Sequence, residues 1–328
     1  MSNSVVFIAH GDITTDKIYD YQYNLIKQDG GGCNWNVLYH LASMGKTCYA
    51  IGTRGNDTEG ALAIDSLQRV GINTDSVSLE DVQTSTYHII LPNALSGDNS
   101  ITHSRYSPIT KQLTVHFSNN LPVEPPIELQ DKNIYIILER IRKVHLDFIN
   151  NVKNKKVCLD IGSVNTLLEF DKNYILEFLS KVNLLLLNDE VAQTLFKKLE
   201  IQNETELFEM LNLDLLIKTA GRNPVTFLFH KDDQIHKVEK QPNIVREITD
   251  NTGAGDAFFA VFINAYSRYL SQNKPIDSDF IAKSFVLANA YSSEIVKILG
   301  SRGTTHTLEQ WLETYKNYLR NNEFSIED

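Results

Sequence analysis

The stretch with most chemical potential in this chain is Asp250, Asn251, Thr252, Gly253, Ala254, Gly255, Asp256, followed at once by an almost wholly apolar run over residues 257–263. Glycines let backbone approach a ligand and adopt conformations that a side chain forbids. A run that is apolar on every side marks a buried helix. A Gly-rich turn feeding a helix N-terminus offers unpaired N–H groups and the positive end of a dipole, and both suit an anion. Asp256 stands at that same point. A carboxylate repels an anion, so it needs its own reason to be there. Two reasons are open: a helix cap, the commonest use of Asp before an apolar run, and removal of a proton from an attacking hydroxyl.

The elements around the turn follow from periodicity. Short apolar or β-branched runs at residues 5–9, 47–51, 134–138, 157–161, 184–187, 215–218 and 225–229 read as strands. Helical patterns lie between most of them. One opens after a second Gly-rich turn, Gly30–Gly31–Gly32, and stops at Gly45; another covers 58–70 and stops at Gly71. After the Asp256 helix, two more helices are expected at about 278–299 and 308–321. Residues 18–26 alternate loosely, as a half-exposed strand pair does. Residues 76–118 are rich in Ser, Thr and Asn, with a weak strand at 87–91 and a turn at Gly97 and Asp98; they read as a lid outside the main core, closed off by Pro122, Pro125 and Pro126. Strands alternating with helices imply an α/β fold with a parallel sheet covered on both faces. Ligands in such folds sit at the carboxyl ends of strands. Asp12, Asp16, Glu139 and Asn188 fall at or just after those ends. The expected organisation is one domain over 1–328, with lid segments at about 17–30 and 84–118.

Composition narrows the partners. The 328 residues carry a net charge of −10, and basic residues cluster no further than pairs such as Lys155–Lys156. That balance excludes a nucleic-acid binder with a basic face and an anionic membrane surface. It does not exclude phosphate, which a local nest and a metal ion can hold. Three cysteines, Cys33, Cys48 and Cys158, have no redox or metal spacing, so reduced thiols in the cytoplasm are expected. No basic leader precedes the first strand, and the longest apolar run is far short of a membrane span. The histidines show no paired metal spacing.

Several segments together resemble the ribokinase/PfkB family of carbohydrate and nucleoside kinases, over nearly the whole chain. Residues 250–256 are similar to the family's Asp-Thr-Thr-Gly-Ala-Gly-Asp signature, with Asn251 the one difference. Gly31, Gly32 and Asn36 match its Gly-Gly-x-x-x-Asn. Residues 51–60 look like its Gly-x-x-Gly-x-Asp-x-x-Gly segment, and residues 11–16 like the first motif ending in a substrate-binding Asp. The resemblance implies a ribokinase-like three-layer sandwich with a mainly parallel central sheet and a small β lid. It implies ATP-dependent phosphorylation of a hydroxymethyl or other hydroxyl group on a small sugar-like substrate. Asp256 would be the general base, and Gly253, Ala254 and Gly255 the anion hole. Asp16, Gly32, Asn36 and Glu139 would bind substrate; Asn188, Thr219, Gly221 and Asn289 would bind nucleotide. Asp250 and Thr252 match positions that help hold a monovalent cation such as K⁺ in many members. ATP and Mg²⁺ are the implied cofactors, and the state is monomer or homodimer. A nucleoside (adenosine-like) kinase, with Trp35 and Tyr87 as base-stacking walls, and a non-catalytic ligand-binding member of the fold are the alternatives.

Three departures from the family pattern stand out. The Asn-x-x-Glu segment, whose Glu orders waters around Mg²⁺, has Asn188 but then Val191. Pro224 stands at the second Gly of Thr-x-Gly-x-x-Gly. The stretch between Asp16 and Gly31 is short for a full lid. If Val191 is a plain loss, Val191→Glu is expected to do no harm.

Overall fold

The computed structural model describes residues 4–93, 101–243, 245 and 248–302. The chain opens with β1 (Val5–Asp12) and continues into β2 (Thr14–Tyr19), β3 (Leu25–Gly31) and the first helix, α1 (Cys33–Ser43). Next come β4 (Cys48–Gly55), α2 (Thr58–Gln68), β5 (Asn73–Glu80), β6 (Ser85–Ile90) and β7 (Thr102–Ser104). Alternation then becomes regular: β8 (Asn133–Leu138), α3 (Lys143–Asn151), β9 (Lys155–Ile161), α4 (Asn165–Leu168), α5 (Lys172–Leu179), β10 (Leu184–Asn188), α6 (Asp189–Leu199), α7 (Glu204–Met210) and β11 (Leu215–Ala220). The strands β12 (Asn223–Lys231) and β13 (Gln234–Lys240) form a hairpin, followed by α8 (Ala254–Ser271) and α9 (Ser278–Ile295).

Nine strands make the main sheet, in the order β13-β12-β11-β10-β9-β8-β1-β4-β5. It is parallel from β11 to β5, and β12 and β13 run antiparallel. A smaller mixed sheet, β3-β2-β6-β7, forms the lid. Helices cover both faces of the main sheet. On one side α1, α8 and α9 pack over Phe7, Ala9, Ile137, Leu186 and Ile217. On the other, α3, α5, α6 and α7 cover Ile8, Ile136, Leu159, Leu187 and Leu216. This is the α/β three-layer sandwich with a small β lid expected from the sequence.

The helix α8 is apolar all round because it has neighbours all round. Phe262 meets Phe227 of the sheet at 5.3 Å between ring centroids and Phe280 of α9 at 6.4 Å; Phe258 packs on Phe285 at 6.2 Å. Burial on every side holds its N-terminus at a fixed place at the carboxyl end of the strands.

The structure differs from the sequence expectations at the sheet's edges. Residues 73–80, partly assigned above to the lid, are β5 of the main sheet, and β13 was not expected at all. Both are edge strands with no fully buried residue, so neither carries the continuous apolar run of a central strand. The helix expected to reach 299 ends at Ile295. The expected helix at 308–321 and the turn at Gly97 and Asp98 lie outside the described residues. Pro224 sits where the β11–β12 register shifts, between the Lys218–Thr226 and Ala220–Asn223 pairs, a place where a missing N–H costs the ladder little.

Candidate active site

Gly253 caps α8 in the left-handed region, with φ of 79° and no side-chain cap bond. A Cβ there would lie 2.5 Å from Ser301 Cβ, so the position needs glycine twice over. Asp256 is therefore inside the first turn and is not the cap. Its carboxylate leaves its own helix and accepts from Asn36 Nδ2 of α1 at 2.7 Å. The choice between cap and base left open by the sequence loses its first branch here. A Cβ on Gly255 would meet nothing within 4 Å. The glycine thus leaves clear space at a helix N-terminus, which fits a phosphoryl group. Ala254 N–H donates to Asn251 O at 3.3 Å and closes the turn.

Two cavities meet at this turn. One, of about 620 Å³, lies under the lid and is lined by Asp16, Gly32, Asn36, Glu139, Asn188 and Asp256, with Tyr87 and His103 on the lid side. The other, of about 740 Å³, is lined by Gly221, Asn243, Ile248, Ala254, Asn289 and Val296. Asn251 borders both, so the turn is their common wall.

The triple glycine places the first cavity's floor. A Cβ on Gly31 would come within 2.1 Å of the Asp16 carboxylate. Gly32 has φ of 89° and caps α1. With no capping side chain, α1 receives its cap from another element: Glu139, just past β8, accepts from Cys33 N at 2.8 Å and Asn34 N at 3.4 Å, and its other oxygen pairs with Arg140 at 3.0 Å. Arg140 in turn lies 4.0 Å over the Phe117 ring and donates to Tyr87 Oη at 3.3 Å. Glu139 faces the cavity with a capping duty that no sequence motif announced.

Electrostatically the floor is strained. Burial pushes Asp256 up to about 7, against the Asn36 hydrogen bond and Arg302, with nearby Glu139 adding to the rise. Burial lifts Asp16 to about 7 as well, opposed by Arg302 and reinforced by Asp256. Asp160 on β9, buried beside both Asp256 and Glu139, is held well above the usual carboxylate range.

The remaining expected residues divide. Gly221, with φ of 60°, and Asn289 border the second cavity, where nucleotide was expected. Asn188 does not: it borders the first cavity, and its Oδ1 accepts from Val191 N at 2.9 Å as the cap of α6. Thr219 borders neither cavity and donates to Leu187 O at 3.4 Å. Asp250 is fully buried; its two oxygens accept from Thr252 N and Gly300 N, each at 2.9 Å. Thr252 Oγ1 is buried without a partner. Trp35 is no cavity wall: it is 1% exposed, with Nε1 donating to Asp12 O at 2.7 Å. Val191 is 1% exposed inside the core beneath the sheet, which argues against the plain loss on which a harmless Val191→Glu depends. Sequence reasoning missed Arg302, Arg140 and Asp160 altogether.

Known proteins share this fold. The profile of the pfkB family carbohydrate kinases matches residues 17–308. An ATP-dependent 6-phosphofructokinase of Thermoanaerobacterium thermosaccharolyticum is 23% identical over 287 residues, 84% of each chain. In solved structures the same fold recurs in a fructokinase of Xylella fastidiosa with bound ATP, at TM-score 0.71 and 16% identity over 97% of this chain and 99% of that one. It recurs also in a nucleoside kinase of Methanocaldococcus jannaschii, at TM-score 0.69 and 19% identity over 95% and 98%. A family match spanning most of the chain, on this fold, means that this protein belongs to the pfkB family of carbohydrate kinases, ATP-dependent enzymes of small sugar- or nucleoside-like substrates.

Proposed function

We propose that this kinase transfers the γ-phosphoryl group of ATP to a hydroxymethyl or other hydroxyl group of a small sugar bound in the first cavity. One observation carries the reading: the turn separates the two cavities, with Asn251 lining both, Gly253 and Asp256 lining the first and Ala254 the second. In this reading Asp256 takes the proton of the attacking hydroxyl. The N–H groups at the head of α8 accept the charge of the transferring group. Asp16 and Asn36 hold substrate hydroxyls, and Gly221 and Asn289 line the nucleotide's cavity. Most residues lining the first cavity have polar side chains, which suits a sugar; Tyr87 is the feature that favours a nucleoside instead.

Mg²⁺ would neutralise phosphate charge on ATP. Among the described residues no group of three or more His, Cys, Asp or Glu side chains is arranged to hold a metal ion, and the Glu expected in Asn-x-x-Glu is core Val191. The described residues therefore do not form a ligand set for the ion, and every step above runs through protein groups. The partnerless Thr252 hydroxyl fits a monovalent cation beside the turn, with Asp250 holding the loop.

The test is a product-detected turnover screen over sugars and nucleosides with ATP, with and without K⁺. Sugar phosphate as the main product is expected. Turnover confined to nucleosides would replace the sugar reading by the nucleoside one. Asp16→Ala is expected to weaken sugar binding about 10- to 100-fold, the loss typical of a hydrogen bond to a charged group. Unchanged affinity by calorimetry would remove Asp16 from the site.

A further inference from the structure

Arg302 lies 3% exposed in the segment after α9. Its Nε donates to Asn36 Oδ1 at 2.9 Å, one Nη to Ser66 Oγ at 3.1 Å and the other to Gly31 O at 2.9 Å. It thus touches α1, α2 and the end of β3 at once, and all three acceptors are neutral. Burying a cation whose hydrogen bonds all go to neutral acceptors is costly, and the nearby charges of Asp29, Asp16 and Asp256 are what offset it. We infer that Arg302 is a positioning residue for the general base: its Nε–H fixes the Asn36 amide so that Nδ2–H faces the Asp256 carboxyl group. The inference rests on Asp256 being the base.

The argument is one of donors and acceptors. Guanidinium has donors only, so Asn36 must turn its oxygen to Arg302. The end left for Asp256 is then the NH₂, at 2.7 Å. An NH₂ facing a carboxyl group favours the ionised form. A reversed amide would offer oxygen, which only the neutral acid can satisfy. The charge acts in the same direction. Asp256 is faced by Glu139 after β8, Asp160 on β9, Asp16 on β2 and the Cys33 thiol on α1; Asp29 and Asp250 add their charge at Asp16. Arg302 is the cation that lowers both Asp256 and Asp16.

Gly30 supplies an independent trace of the same device. A Cβ there would lie 1.8 Å from Arg302 Nη1. Gly31 clears Asp16, and Gly32 makes the turn; the first of the three glycines is there to let Arg302 through. Asp250, which binds Gly300 N, links the anion turn to the chain that carries Arg302.

The experiment follows the Asp256 carboxyl carbon by NMR in the full ¹³C-Asp-labelled chain as pH is varied, with Asp256→Asn identifying the signal. Arg302→Met is expected to move the titration up by about one unit or more. Arg302→Lys, which keeps a charge and a donor, should move it less. Gly30→Ala removes no bonding group but pushes the guanidinium aside, and is expected to move the titration up; it carries the test if Arg302→Met does not fold. An unmoved titration in the folded variants overturns the inference, because lost packing alone lowers the melting temperature without shifting that carboxyl. The two readings fail separately. Full turnover by Asp256→Asn removes the base itself; a dead Asp256→Asn beside an unmoved titration removes only Arg302's role.

Discussion

Asp256→Asn is expected to cut turnover roughly 10²–10⁴-fold, the usual share of a positioned acid or base, and yet to make the protein more stable. The two effects have one cause. Folding raises the Asp256 carboxyl from an ordinary 3.8 to about 7. A raised acid stabilises the fold in its neutral form. That contribution is full below about 4 and is lost as pH rises through about 7. Above that range the ionised carboxylate is a net cost, on the order of 2–4 kcal/mol for a shift of this size. Asparagine keeps an oxygen for Asn36 and never ionises. Without nucleotide, the variant should therefore melt a few degrees higher at about pH 8, with the gain shrinking toward pH 4. Thermal melts across that range, beside turnover, check both halves. A variant less stable at every pH would show that Asp256 is not strained in the fold.

The second large effect is at Val191. Glutamate there would be larger than the side chain it replaces and would bring a carboxyl into a region 1% exposed, between α6 and the sheet. Val191 belongs to a cluster of buried apolar side chains, so a loss of about 3 kcal/mol or more is expected, with no gain in Mg²⁺ response. Denaturant titration of Val191→Glu against the parent measures it. An unchanged midpoint together with stronger Mg²⁺ activation would mean that the new side chain reaches the cavity.

Val191 also marks the limit of what the sequence could say. A motif compares residue types along the chain, and Asn188 with Val191 looks like a broken metal motif. In three dimensions Asn188 caps α6 through Val191 N, and the valine fills the core. By contrast, α8 and its turn were legible because burial on all sides and a left-handed cap leave direct marks: an unbroken apolar run and a glycine. The central strands left similar marks. The edge strands β5 and β13 did not, since half of each faces water. The reach of Arg302 to Asn36 and the capping of α1 by Glu139 left no mark on those two residues' own surroundings in the chain, because each acts on a partner more than a hundred residues away. Gly30 was the only local sign of Arg302, and a third glycine beside a two-glycine motif attracts no notice until the guanidinium is seen over it.

The central claim is that one turn, Asn251 to Asp256, carries a phosphoryl group from one cavity to the other. Its most direct test gives the protein ATP labelled in the γ-phosphate together with the sugars of the screen, and follows where the label goes. Label in an acid-stable sugar ester, formed by the parent chain and abolished in Asp256→Asn, is the predicted result. Sugar and ATP that both bind while the label stays in ATP or appears only as inorganic phosphate would contradict it, and would leave a ligand-binding protein built on a kinase fold.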